Sequence, residues 1–318
     1  MSNYKLRRAV MALGISVSLL TAQLAFGQVN RIYAQSAPNN PTINRDQPPV
    51  VTDQVIPVDQ SELHDKITDW KKRLASQPGW ESWKQASWSV YPLGPGTHGW
   101  IVELTSNDQK VGYMIVSGDM QGGYVLTEYG KGPNPLFSLE TLHRVLTDRE
   151  IIAATLSINE LVHSTSIKIN RIYVNALQAL WEIVINGHKT YYDAVTGALV
   201  ELDKAPTLSL PEQGLTPIGL TDKLPKVDQR APFDPYERMP WLTGKPLTIS
   251  NFVNFENAFQ SSSELRLVCE LFNGQLSMPL PVIGYVQWDQ SEPLIIVDQE
   301  GERYIPLTTA LQTGKLYS

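Results

Sequence analysis

Short apolar segments of period two, cut by turn residues every few positions, run from residue 88 to residue 202 and restrict the chain to antiparallel sheet. The first four strands fall at 88–91, 99–104, 111–116 and 124–129, separated by Gly/Pro/Asn/Asp-rich stretches at 92–96, 106–109 and 117–123. These connections are too short for the crossovers that parallel strands need, so a meander is expected. In the third strand Val111, Tyr113 and Ile115 alternate with Gly112, Met114 and Val116. Both faces are therefore partly apolar, and a helix must cover one. A second small sheet follows at 168–174, 179–185, 188–193 and 198–202, with Asn186-Gly187 joining its middle strands. That dipeptide suits a two-residue hairpin because both turn positions need positive φ.

Helical spacing appears on either side of the first meander. Leu63, Ile67, Trp70 and Leu74 recur at intervals of three and four, with Ser61 as N-cap and Gln77-Pro78-Gly79 as the stop. Ser138 caps a second helix whose apolar side is Leu142, Val145 and Leu146; residues 149–156 either continue it or begin another element. Eight prolines then fall between residues 203 and 246, and no helix or strand period persists through them. This reads as a linker or docking arm, with Phe233, Tyr236, Met239 and Trp241 as its anchors. The remaining residues carry a short helix at 252–259 and strands at 265–272, 282–288, 294–298 and 303–307, with a turn at 298–301. Such a segment is marginal alone, and docking on its neighbours would stabilise it.

The fold class is thus α+β: small antiparallel modules at 61–138 and 139–202, a Pro-rich linker or arm at 203–247, and a small β-rich module at 248–318. Ahead of them, Lys5, Arg7 and Arg8 precede an apolar run from residue 9 with no acidic group before residue 28, and Ala25-Phe26-Gly27 offers a peptidase site. That order is an export signal at 1–27, either cleaved or kept as an anchor; both place the folded part outside the cytoplasm. Residues 28–60, with Pro38, Pro41, Pro48 and Pro49, read as a disordered linker. Removing the leader leaves 23 basic against 32 acidic groups, a net charge of −9. An acidic chain without a basic block excludes nucleic acid as a partner. The single cysteine, Cys269, excludes an internal disulfide, so packing must supply the stability; a 42% hydrophobic fraction permits this.

Two stretches carry a family resemblance. Trp100-Ile101-Val102-Glu103-Leu104, Val111-Gly112-Tyr113-Met114-Ile115-Val116-Ser117-Gly118-Asp119 and Tyr124-Val125-Leu126-Thr127-Glu128-Tyr129-Gly130 resemble the propeptide region of secreted cysteine proteases of the streptopain type. Ala179-Leu180-Trp181-Glu182-Ile183 and Tyr191-Tyr192-Asp193-Ala194-Val195-Thr196-Gly197-Ala198-Leu199-Val200 are similar to the end of a PepSY-type domain. The resemblance covers residues 88–202 and implies an inhibitory, folding-assisting or surface-interaction role. It does not imply proteolysis, because such proteases need a downstream cysteine and histidine, whereas the last histidine, His188, precedes Cys269.

The sequence assigns no catalytic, cofactor-binding or metal-ligating residue. His64, His98, His143, His163 and His188 are dispersed without ligand spacing, and Cys269 sits among Leu267, Val268 and Leu271 as a small apolar group. Among the carboxylates that folding could pair, Asp119 and Asp193 lie at turns, while Glu103 and Glu128 are expected to follow strand alternation toward water. Trp80, Trp83, Trp88, Tyr124, Tyr129, Tyr191 and Tyr192 are each expected to pack internally, yet as a set they offer an aromatic docking face. The function expected is a secreted or envelope-associated non-catalytic interaction module acting on an exported protein or peptide, touching the membrane only transiently through its leader. The alternatives are an extracellular carboxylate-dependent hydrolase and a structural envelope protein. Oligomeric state is not readable.

Overall fold

Helix α1 (Ser61–Ala75) forms where the spacing of Leu63, Ile67, Trp70 and Leu74 predicts it, and all four side chains are buried. Glu62 in its first turn and Lys72 and Arg73 in its last complement the helix dipole. The computed structural model describes residues 61–94, 97–119, 122–206, 217–289 and 291–318. The export signal expected at 1–27 and the linker expected at 28–60 lie outside the described residues. A single 3-10 turn (Glu81–Trp83) leads into four antiparallel strands, β1 (Ser87–Pro92), β2 (Gly99–Ser106), β3 (Gln109–Gly118) and β4 (Tyr124–Lys131). Helices α2 (Leu139–Asp148) and α3 (Ile158–Val162) follow, so residues 149–156 neither extend α2 nor form an element of their own. Thr141 N donates to Ser138 Oγ at 3.1 Å, which makes Ser138 the N-cap of α2.

The second sheet runs β5 (Ile167–Asn175), β6 (Gln178–Ile185), β7 (His188–Asp193) and β8 (Leu199–Val200), each antiparallel to the next. Asn186 and Gly187 adopt φ of 52° and 81°, the pair of left-handed residues that a tight hairpin requires. The architecture is therefore a mixed α+β fold with antiparallel sheets.

Among the described residues of the Pro-rich stretch one short strand, β9 (Lys226–Gln229), forms against the later strand Leu276–Gln287. No periodicity announces it, because four residues are too few to establish one. Helix α4 (Phe252–Ser261) precedes β10 (Leu265–Leu271), β11 (Leu276–Gln287), β12 (Leu294–Asp298), β13 (Glu302–Pro306), α5 (Leu307–Thr313) and β14 (Gly314–Tyr317). The strand expected at 282–288 begins six residues earlier, through Pro279 and Pro281. Those prolines pair with Val268 and Arg266 of β10, and β12 joins β11 only from Val282 onward. The missing N–H groups thus fall where β12 makes no ladder to lose, the position in which a strand tolerates proline.

β4 pairs with β13, so the meander and the C-terminal strands share one ten-stranded sheet in the order β1-β2-β3-β4-β13-β12-β11-β10-β14, with β9 alongside β11. Side chains fasten this junction on both faces of the sheet. On one, Tyr129 of β4 stacks on Tyr304 of β13 at 4.6 Å, with Trp80 edge-on to Tyr129 at 5.5 Å. On the other, Glu128 meets Arg303. Alternation along the strands sends successive residues to opposite faces, so adjacent positions can carry an aromatic contact and an ion pair at once.

Both faces of the meander are buried, as the two-sided apolar pattern of β3 demands. Val102, Leu104, Met114 and Val116 pack with α1 and Trp83, whereas Ile101, Tyr113 and Ile115 pack with α2 and with Trp181, Ile183 and Tyr192 of the second sheet. A third core gathers Phe255 and Phe259 of α4 and Leu307 and Ala310 of α5 over β10–β12.

Candidate functional site

Glu103 and Glu128 do not face water. They are 5% and 0% exposed, which corrects the reading from strand alternation. That reading treated one face of the meander as solvated, whereas the second sheet and α2 cover it. Lys110 forms an ion pair with Glu103, whose carboxyl is nevertheless held above its ordinary range because desolvation exceeds that attraction. Glu128 is more elaborately held. Arg303 donates to Glu128 Oε1 through Nη2 at 2.6 Å and through Nε at 3.2 Å. Tyr113 donates to the same oxygen, and Tyr173 donates to Oε2 at 2.9 Å. The guanidinium also reaches Gln299 Oε1 at 2.5 Å and the Ala176 carbonyl.

This cluster joins β3, β4, β5, the β5–β6 turn, the β12–β13 turn and β13 through one buried ion pair. Its chemistry is structural: the carboxylate is engaged by a fixed guanidinium and two hydroxyls, which is how a buried charge is compensated. Burial holds Tyr113 and Tyr173 well above the ordinary phenol range, with Glu128 adding to the shift, so both remain donors. Gly130 makes room for the arrangement. A Cβ there would lie 2.3 Å from Cε1 of the Tyr113 ring.

The other two carboxylates sit at turns as expected. Asp119 accepts from Gly123 N at 2.7 Å, and Asp193 from Thr196 N and Thr196 Oγ1, both at 2.7 Å. The four carboxylates are thus committed to separate partners. Cys269 is fully buried and desolvation pushes its thiol up to about 12, leaving it protonated at neutral pH. His143 and His163 bond the carbonyls of Leu156 and Asn159, His64 lies 5.0 Å from the Trp88 ring, and His98 and His188 are exposed. Among the described residues, no three His, Cys, Asp or Glu side chains gather as a metal-ligating set.

The aromatic docking face expected of Trp80, Trp83, Trp88, Tyr124, Tyr129, Tyr191 and Tyr192 does not form. Trp80, Trp83, Tyr129, Tyr191 and Tyr192 are all at most 3% exposed, while Trp88 and Tyr124 are half-buried against the first core. They fill space between layers, so the set offers no shared outer surface.

Exposed apolar groups concentrate on the Pro-rich segment instead. Prolines deprive residues 217–249 of backbone donors, and the segment is held by contacts with the rest of the fold. Ile218 N donates to Leu126 O at 2.7 Å, Arg230 N to Ile283 O at 2.7 Å, and Leu247 N to Leu316 O at 2.8 Å. Buried Arg266 completes the attachment, donating from Nε to Pro235 O at 2.9 Å and from Nη2 to Glu237 O at 2.8 Å, with its guanidinium 4.8 Å from the Phe233 ring. Of the expected anchors, Phe233 serves this role, whereas Tyr236 and Met239 are more than 40% exposed. Leu224, Val227, Tyr236, Met239 and Leu242 of this arm, with Val253 of α4, make six of the eight large apolar side chains exposed among the described residues. Scattered apolar exposure is ordinary, but here six of these side chains fall within thirty residues of sequence.

No family model, curated protein or solved structure matches this chain.

The docking face expected from the sequence lies among tryptophans and tyrosines, whereas the exposed apolar groups lie on the Pro-rich segment. The available signal lay elsewhere: isolated Leu, Val and Met residues between prolines, in a stretch that cannot bury them through a periodic element of its own.

Proposed function

We propose that this protein is exported and acts outside the cytoplasm, in the secreted fraction or the cell envelope, as a non-catalytic interaction module that restrains or assists the folding of another exported polypeptide. The observation that carries the reading is the concentration of exposed apolar side chains on the arm and the start of α4, from Leu224 to Val253, while the strongest buried charges are committed to internal partners. The charge order of residues 1–27 supports export. The streptopain-propeptide and PepSY resemblances of residues 88–202 support a role exerted on a partner, since such modules act by covering or guiding another chain.

The test is made in the native host with the full chain. Fractionation with N-terminal sequencing is expected to find the folded part outside the cytoplasm, and cross-linking to join the arm to a defined exported polypeptide. Leu242→Ser together with Val253→Ser should abolish that cross-link without altering circular dichroism, since both side chains are more than 60% exposed. Soluble cytoplasmic protein that retains residues 1–27 would defeat the export reading. An unchanged cross-link in the double variant would defeat the arm as its surface.

A further inference from the structure

Where the arm crosses the junction of α4 and β10 it leaves an open groove of about 340 Å³, whose lining includes Arg238, Ser261, Ser263, Glu264, Arg266 and Ser318. Arg266 is 2% exposed, yet only part of its guanidinium is engaged. Nε and Nη2 donate to Pro235 O, Glu237 O and Glu264 Oε2, whereas Nη1 has no acceptor among the described residues. Arg266 lines the groove, and Nη1 is its one nitrogen left without an acceptor among the described residues. Arg238 stands at the rim, exposed and without an ion pair among the described residues.

Two guanidinium groups thus line the groove, and Glu264 of the same lining is already paired with Arg266. The carbonyl end of α4 would repel an anion, but Arg230 offsets it by donating to Ser262 O while its guanidinium lies 4.0 Å from the Phe259 ring. The rim is also held in an uncommon backbone conformation. Arg238 and Met239 have φ of 64° and 34° ahead of Pro240, a left-handed pair without glycine. Prolines and the Arg266 clamp fix that turn, and it is the turn that places Arg238 beside the groove.

We propose that this groove is a binding site for a carboxylate group, received by Nη1 of Arg266 at the floor and by Arg238 at the rim. A planar carboxylate suits two guanidinium donors, because charge-assisted hydrogen bonds from arginine are short and directional. The inference is independent of where the protein resides and of which polypeptide the arm meets.

The test is isothermal titration of the full chain with N-acetyl-glycylglycine, with its C-terminal amide and with inorganic phosphate, each at low and high salt. The free carboxylate should bind at least about tenfold more tightly than the amide, and binding should weaken as salt screens the charges. Arg238→Ala should reduce affinity about tenfold, with Arg238→Lys falling between, while the thermal midpoint holds because the side chain is exposed. Equal binding of acid and amide, no binding of the acid, tighter binding of phosphate, or an unaffected Arg238→Ala variant would each overturn the assignment. Arg266→Lys removes Nη1 but also the contacts to Pro235 and Glu237, so the Arg238 variants carry the decision.

Discussion

Removing the charge from Arg303 should unfold this protein more readily than almost any other polar substitution. Arg303→Met leaves the Glu128 carboxylate, which is 0% exposed, with two tyrosine hydroxyls and no cation. An uncompensated buried charge costs about 3–5 kcal/mol, a large share of the roughly 5–15 kcal/mol that holds a domain together. For a unit of this size the thermal midpoint should fall by roughly 6–20 °C, at about 2–4 °C per kcal/mol. Glu128→Leu strands the guanidinium instead and should cost a similar amount. In the double variant both charges are gone. What remains unsatisfied are the hydroxyls of Tyr113 and Tyr173, the Gln299 side chain and the Ala176 carbonyl. The double variant should therefore lose about as much as one single variant, giving a coupling energy of about 3–5 kcal/mol, at or above the upper end for residues in one network. Urea unfolding followed by tryptophan fluorescence measures all four corners of the cycle. Additive losses, or single losses below about 1 kcal/mol, would refute the view that this ion pair fastens the cluster.

Three further outcomes follow from the same geometry. Gly130→Ala places a methyl carbon 2.3 Å from the Tyr113 ring, which is fixed by Glu128 and Arg303, so stability measured by urea should drop by about 2–3 kcal/mol. Cys269 should resist alkylation by iodoacetamide at pH 8 in the folded protein and react at once in denaturant, since burial keeps its thiol protonated up to about 12. Tyr113, Tyr129, Tyr173 and Tyr304 all have phenols raised by burial. The unfolded chain releases these protons near pH 10 while the folded chain keeps them, so stability is complete below about 10 and declines as pH rises further. Phenolate absorbance should show the four ionising together with unfolding rather than before it.

The local elements were legible for local reasons. Four apolar residues at helical spacing suffice for α1, Ser138 for the start of α2, and Asn186-Gly187 for the β6–β7 hairpin, because a cap or a turn depends on neighbours in the chain. Elements that depend on distant partners were not legible. β9 exists because β11 offers it an edge, and β11 begins at Leu276 because β10 pairs with it from there. The exposed apolar groups were misplaced for a related reason. An aromatic residue reads the same whether it fills a core or faces a partner, and only the packing of α1 and the second sheet shows that Trp80, Trp83, Tyr191 and Tyr192 are interior.

By itself the sequence determined antiparallel strands, their turns, two helix starts and a Pro-rich arm, all of which follow from periodicity and backbone restriction within a few residues. Only the tertiary structure decided that β4 would lie beside β13, that Glu128 and Arg303 would meet across 175 positions, and that the arm would present its apolar side chains outward. Long-range pairing is chosen by the simultaneous fit of two faces, aromatic on one side and ionic on the other. Neither strand carries that information alone, because each supplies half of every contact.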